Sequence, residues 1–138
     1  MKSKSPEYVR SVEEYKAAFE MIQDEMTQKQ HEMLTEHYKS SCHITTATDL
    51  AAAVEYSGAG GTKLQYGRLG SMVSNALGLG PLGVITLELM VPPNGFAVRE
   101  WLWVMRANVA QALEELGWVT KTSDLFYPYG PVGVSKYF

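Results

Sequence analysis

Between residues 11 and 26 apolar side chains return every three or four positions. Val12, Tyr15, Phe19, Ile22 and Met26 fall on one side of an α-helix, with Glu and Lys around the rest. Ser11 and Glu14 stand at capping-box spacing, which satisfies two backbone donors at the helix start. A second box, Thr27 with Gln30, opens "KQHEMLTEHYK", whose apolar members are Met33, Leu34 and Tyr38. The pattern predicts two helices, or one kinked helix, with a solvated outer face. A β-branched cluster around Ile44 then predicts a short strand. Thr46 with Asp49 caps a short helix over 47–55 that buries Leu50, Ala51 and Val54.

The stretch "GAGGTKLQYGRLG", residues 58–70, holds five of the chain's twelve glycines. Gly58 to Gly61 read as a turn in which glycine supplies backbone freedom. After it, Leu69, Val73, Ala76 and Leu77 share one face, so a helix is expected over 62–77, ending at Gly78. Gly67 and Gly70 lie inside that helix, each costing about 1 kcal/mol relative to Ala. A close approach by another element is the expected compensation.

Two period-two segments follow, "GVITLELM" and "FAVREWLWVM". Their alternation sets Ile85, Leu87 and Leu89 against Thr86 and Glu88, and Trp101, Trp103 and Met105 against Leu102 and Val104. With "VPPNG" as the turn, residues 84–105 should form an antiparallel hairpin. "RANVAQALEELGW" is helical, with Val109, Leu113 and Leu116 inward and Gly117 as its stop.

This order gives an α+β fold resembling a winged helix-turn-helix: residues 47–55 and 62–77 form the helix pair and 84–105 the wing. Residues 1–10 read as a flexible lead-in and 11–119 as one domain. The Tyr-, Pro- and Gly-rich tail, 120–138, is expected to lie on the domain as an extended strap. A chain of 138 residues with 46% hydrophobic content is large enough for one core without staples. One cysteine, Cys42, excludes an intrachain disulfide and points to a cytoplasmic protein; no apolar run is long enough for a membrane span.

The net charge of −3 argues against nucleic-acid binding over the whole surface, yet the charge is uneven. Residues 1–56 carry six Lys/Arg against ten Asp/Glu, whereas residues 57–108 carry Lys63, Arg68, Arg99 and Arg106 against Glu88 and Glu100. A local phosphate-facing surface is therefore permitted in the middle of the chain. The polar members of the 62–77 helix, Lys63, Gln65, Tyr66, Arg68, Ser71 and Asn75, are the candidate contacts, with Arg99 added from the wing. Gln and Asn suit adenine edges, Arg suits guanine, and Lys or Ser grips phosphate. The same residues also suit an ordinary solvated face.

Other chemistry is poorly supported. In "GAGGTK" a Leu follows the lysine where a P-loop needs Ser or Thr, and a helix precedes the loop, so no nucleotide cofactor is expected. His31, His37, Cys42 and His43 lack the spacing of a metal site. Trp101, Trp103 and Trp118 read as core. No catalytic constellation is visible.

The segments "TATDLAAAVEYSGAGGTKLQYGRLG" and "LEELGWV" resemble a module that accompanies McrA-like HNH restriction endonucleases, over roughly residues 15–119, with Leu64 to Gly70 the closest match. Where that pattern has glycine before Tyr56, this chain has Glu55, and residues 120–138 contain no histidine, so nuclease activity is not carried over. The resemblance implies a role beside restriction, defence or mobile elements. The expectation is a non-enzymatic module binding double-stranded DNA, with a homodimer compatible with two half-sites. The alternative is a protein-interaction module, a regulator or inhibitor docking on a nuclease or defence complex.

Overall fold

The computed structural model describes residues 8–93 and 100–121. The tip of the expected wing, Arg99 included, and the tail beyond residue 121 lie outside these described residues. Among the described residues, five helices pack with a three-stranded antiparallel sheet, an α+β architecture: α1 Val12–Ile22, α2 Gln28–Lys39, β1 Ile44–Thr45, α3 Ala47–Ala53, α4 Ala59–Ala76, β2 Glu88–Val91, β3 Leu102–Met105 and α5 Ala107–Glu115. The strands lie in the order β1-β3-β2. Ile44 and Leu89 both face Val104, while Thr45 and Met90 both face Trp103.

Local chemistry explains most boundaries. Ser11 and Thr27 each form the full reciprocal capping box, so α1 and α2 are separate helices and not one kinked rod. Thr46 Oγ1 accepts the Asp49 N–H at the start of α3. That helix ends at Val54, whose carbonyl accepts from Lys29 Nζ, and Glu55 then turns the chain with φ 60°.

The fourth helix departs from the expected 62–77. It begins at Ala59 with Gly58 as its N-cap, so the glycines form its first turn and not a hinge before it. Its eighteen residues bury Thr62, Tyr66, Leu69, Gly70 and Val73 along one stripe, and this burial outweighs the poor helix propensity of the glycines. α1, α2 and α3 all pack against α4, which makes it the hub of the core.

Behind α4 the chain does not form the expected long strand. Gly83–Thr86 closes as a 3-10 turn, and β2 starts only at Glu88. The turn is held in several ways. Ser71 Oγ accepts the Gly83 N–H at 3.0 Å, and Ser74 Oγ accepts the Leu82 N–H at 3.0 Å. The Arg106 guanidinium donates twice to the Ile85 carbonyl, at 2.9 and 2.8 Å, and Tyr15 donates to the Thr86 carbonyl at 2.6 Å. The Gly83 carbonyl occupies the space that a Cβ on Gly70 would need, so the expected close approach exists at Gly70. At Gly67 it does not: nothing lies within 4 Å of a Cβ there.

The 3-10 turn also corrects the hairpin phase. Glu88 and Thr86 are fully buried, and Leu89 is 52% exposed, the reverse of the expected alternation. Trp103 and Met105 do face the core, as Leu87 does, but Trp101 is half exposed and Trp118 only partly buried.

Candidate functional site

The side of α4 away from the core carries Lys63, Leu64, Arg68 and Asn75, all exposed, with Gln65, Gly67 and Ser71 partly so. Helical spacing places Leu64, Arg68, Ser71 and Asn75 along one line and Lys63 and Gly67 beside it. Lys63, Leu64, Gly67, Arg68, Ser71, Met72 and Asn75 border a shallow depression of about 550 Å³. Neither Lys63 nor Arg68 enters an ion pair among the described residues. From Tyr56 to Leu87 the sequence contains no Asp or Glu, so α4 itself carries no carboxylate to offset these two charges.

A second groove, of about 430 Å³, runs between α4 and the hairpin, with Lys63 and Gly67 on one wall and Val84, Met90, Trp101 and Trp103 on the other. Glu100 also borders it, and its carboxylate accepts the Thr48 N–H at 3.3 Å in the first turn of α3, where the helix dipole favours negative charge. The two depressions share Lys63 and Gly67.

One of the expected contacts is placed differently, and two others already make hydrogen bonds. Tyr66 is a correction: it is fully buried, on the inward stripe with Thr62, Leu69 and Val73, so its hydroxyl cannot reach a ligand on the outer face. Ser71 is partly exposed, but its oxygen already accepts the Gly83 N–H. Gln65 is anchored through its carbonyl, which accepts from Gln30 Nε2 at 3.2 Å.

Tyr66 belongs to a buried polar cluster that the sequence pattern does not reveal. His37 on α2 places Nδ1 2.7 Å from the Tyr66 hydroxyl and Nε2 2.8 Å from the Trp103 carbonyl. A carbonyl only accepts, so Nε2 carries the proton and Nδ1 accepts from Tyr66. Glu88 Oε1 lies 3.3 Å from the same Nδ1, and neither Glu88 oxygen has a hydrogen-bond partner among the described residues. Burial lowers the His37 pKa to about 4 against its Trp103 bond, and pushes the Glu88 carboxyl well up against the opposing pull of Arg106. Near neutrality the imidazole is therefore neutral, and burial favours the protonated form of the carboxyl beside it. Burial, then Glu88, raises the Tyr66 hydroxyl as well. The sequence carries one hint of this cluster, a glutamate inside the apolar run "ITLELM". Thus α4, α2 and both strands of the hairpin meet beneath the outer face at one satisfied imidazole.

The remaining histidines have separate surroundings. His31 lies against Trp118, with ring centres 5.1 Å apart, and His43 against Tyr38 at 4.6 Å, its Nδ1 donating to the Tyr38 carbonyl. Cys42 and His43 both adopt positive φ in the turn before β1. No described helix is long and apolar enough to cross a membrane. No model of a known family matches this chain, and no curated protein and no solved structure matches it either.

Proposed function

We propose that this chain is a winged helix-turn-helix module that binds double-stranded DNA, with α3 and α4 as the helix pair, α4 as the reading helix and the β2–β3 hairpin as the wing. The supporting element order is α2, β1, α3, α4, β2, β3, with β3 between β1 and β2. The observation that carries the reading is the outer face of α4. It presents two cations and two amide side chains on a helix that carries no carboxylate of its own, on a chain that is otherwise acidic. Lys63 and Arg68 would engage phosphate or a guanine edge, and Gln65 and Asn75 would meet base edges. Tyr66 has no direct part in contact; it anchors the helix from within. The restriction or defence setting rests on the resemblance of "LQYGRLG" and its flanks alone.

The test is a fluorescence-anisotropy titration of mixed-sequence duplexes at several salt concentrations. Binding should weaken steeply with salt. The double variant Lys63→Ala/Arg68→Ala should lower the slope of log K against log salt by about 0.9 for each phosphate contact removed. Absence of salt-sensitive binding to any duplex, or an unchanged slope in the double variant, would remove the basis of the proposal.

A protein-docking function on the same fold is the second reading. The apolar groove favours it, because Trp101 stays 50% exposed on its wall and Leu64 54% exposed in the adjoining depression. Partners that remain bound after nuclease treatment of a host lysate, together with failure of the duplex titration, would favour this reading over the first.

A further inference from the structure

Gly67 stands in the interior of α4 without the packing reason that explains Gly70. A glycine there costs about 1 kcal/mol relative to alanine. Yet nothing beyond its own turns of helix lies within 4 Å of the place a Cβ would take. Gly67 borders the groove of about 430 Å³ between α4 and the hairpin, and across that groove stand Val84, Met90, Trp101 and Trp103. Glycine inside an element is a common way to let a ligand come close to backbone.

The wall opposite Gly67 is built to hold its shape. Trp103 is buried, Tyr66 packs on its ring with centres 5.3 Å apart, and its carbonyl accepts from His37 Nε2 at 2.8 Å. Trp101, on the same wall, leaves half of its surface open to solvent. Preformed apolar clefts of about 300–1,000 Å³ with a few placed polar groups are the usual form of small-molecule sites. The placed group here is Lys63, which precedes Gly67 by four residues. It therefore shares that face of α4, about 6 Å along the helix axis. Glu100 borders the groove too, but its carboxylate accepts the Thr48 N–H, and it forms no ion pair with Lys63 among the described residues.

We propose that this groove is a binding site for a small aromatic carboxylate, with the ring between the bare backbone of Gly67 and the tryptophan wall and the carboxylate on Lys63 Nζ. A flat ring suits a slot with indoles and a methionine thioether on one side and no side chain on the other. The sign of the ligand's charge follows from the two rim groups: the carboxylate of Glu100 is engaged by backbone, whereas the ammonium of Lys63 has no ion-pair partner. The assignment does not rest on duplex binding by α4.

Proton–nitrogen correlation NMR of the full chain, without DNA, tests it with benzoate, naphthoate and indole acetate as probes up to millimolar concentration. Saturable shifts should concentrate on the indole N–H signals of Trp101 and Trp103, while that of Trp118, packed on Phe19 and His31, stays in place. Lys63→Ala should weaken naphthoate about fivefold and leave neutral naphthamide unchanged. Gly67→Leu, which enters open space, and Trp101→Ala, at a half-exposed position, should each abolish saturable binding, with unfolding midpoints confirming that both variants fold. Absence of saturable shifts with all three carboxylates would overturn the proposal. So would naphthylmethylammonium binding tighter than naphthoate, or undiminished affinity in both groove variants.

Discussion

The carbonyl oxygen of Gly83 fills the position where a side chain on Gly70 would begin. The helix that carries the candidate site can therefore seat against the 3-10 turn only because residue 70 has no Cβ. Gly70→Ala should cost about 1–3 kcal/mol or more, because the obstacle is backbone that cannot rotate away. Gly67→Ala, on the open side of the same helix, should instead stabilise by up to about 1 kcal/mol through helix propensity. Urea unfolding of both variants measures this pair, and a shift in the same direction for both would contradict the close approach.

Tyr66 and Arg68 stand two positions apart but on opposite sides of α4, one 0% exposed and the other open to solvent. Tyr66→Phe should cost about 1–3 kcal/mol, since it leaves the buried His37 Nδ1 without its donor. Its duplex affinity, measured well below the unfolding midpoint, should be unchanged. Arg68→Ala should do the converse, weakening duplex binding with stability within about 0.5 kcal/mol of the parent.

The His37–Glu88 pair should flatten the acid limb of the stability profile. His37, lowered from 6.5 to about 4, contributes stability that is present above 6.5 and lost as pH falls through 4. Glu88, raised above 4.5, contributes stability present below 4.5 and lost as pH climbs through its folded value. As pH rises above 4.5 the two trends oppose each other, Glu88 losing stability while His37 gains it. Glu88→Gln removes one of them, so the variant should lose stability on acidification with a slope of up to about 1.4 kcal/mol per pH unit. Denaturant midpoints across pH 4 to 8 check this; parallel profiles for parent and variant would show that the carboxyl is not held protonated.

Trp101 offers an optical readout of the groove beside α4. Half exposed at the groove wall, it should dominate the fluorescence that acrylamide quenches, with Trp103 protected. Duplex binding across α4 and the hairpin should reduce that accessible fraction, and Trp101→Phe should abolish the change. A duplex that binds without altering quenching would place the contact away from the hairpin.

Signals that are local in the chain are legible in the amino-acid sequence itself. Ser11–Glu14 and Thr27–Gln30 lie within one turn, so the capping geometry follows from spacing alone, and the outward positions of Lys63, Arg68 and Asn75 follow from the stripe Leu69–Val73. The start of α4 is hidden because glycine propensity argues for a turn, while the burial of Thr62 and Tyr66 that overrides it is tertiary. The hairpin phase fails for a related reason. A 3-10 turn over Gly83–Thr86 has a different period from a strand, and it delivers Glu88 to the inner face. Tyr66 is misplaced because an aromatic hydroxyl among polar neighbours looks solvent-facing until its partner is known. That partner, His37, lies on another helix, and nothing in the local pattern ties the two together.

The buried hydroxyl has one more consequence. A helix lying against a core is free, in principle, to roll about its long axis, and a roll of one residue turns it by about 100°. Tyr66 works like a key in a slot: only one azimuth lets its oxygen meet the imidazole, and at that azimuth Lys63 and Arg68 project away from the body. The aim of the two cations is thus set from the inside of the molecule, by a residue that never leaves it.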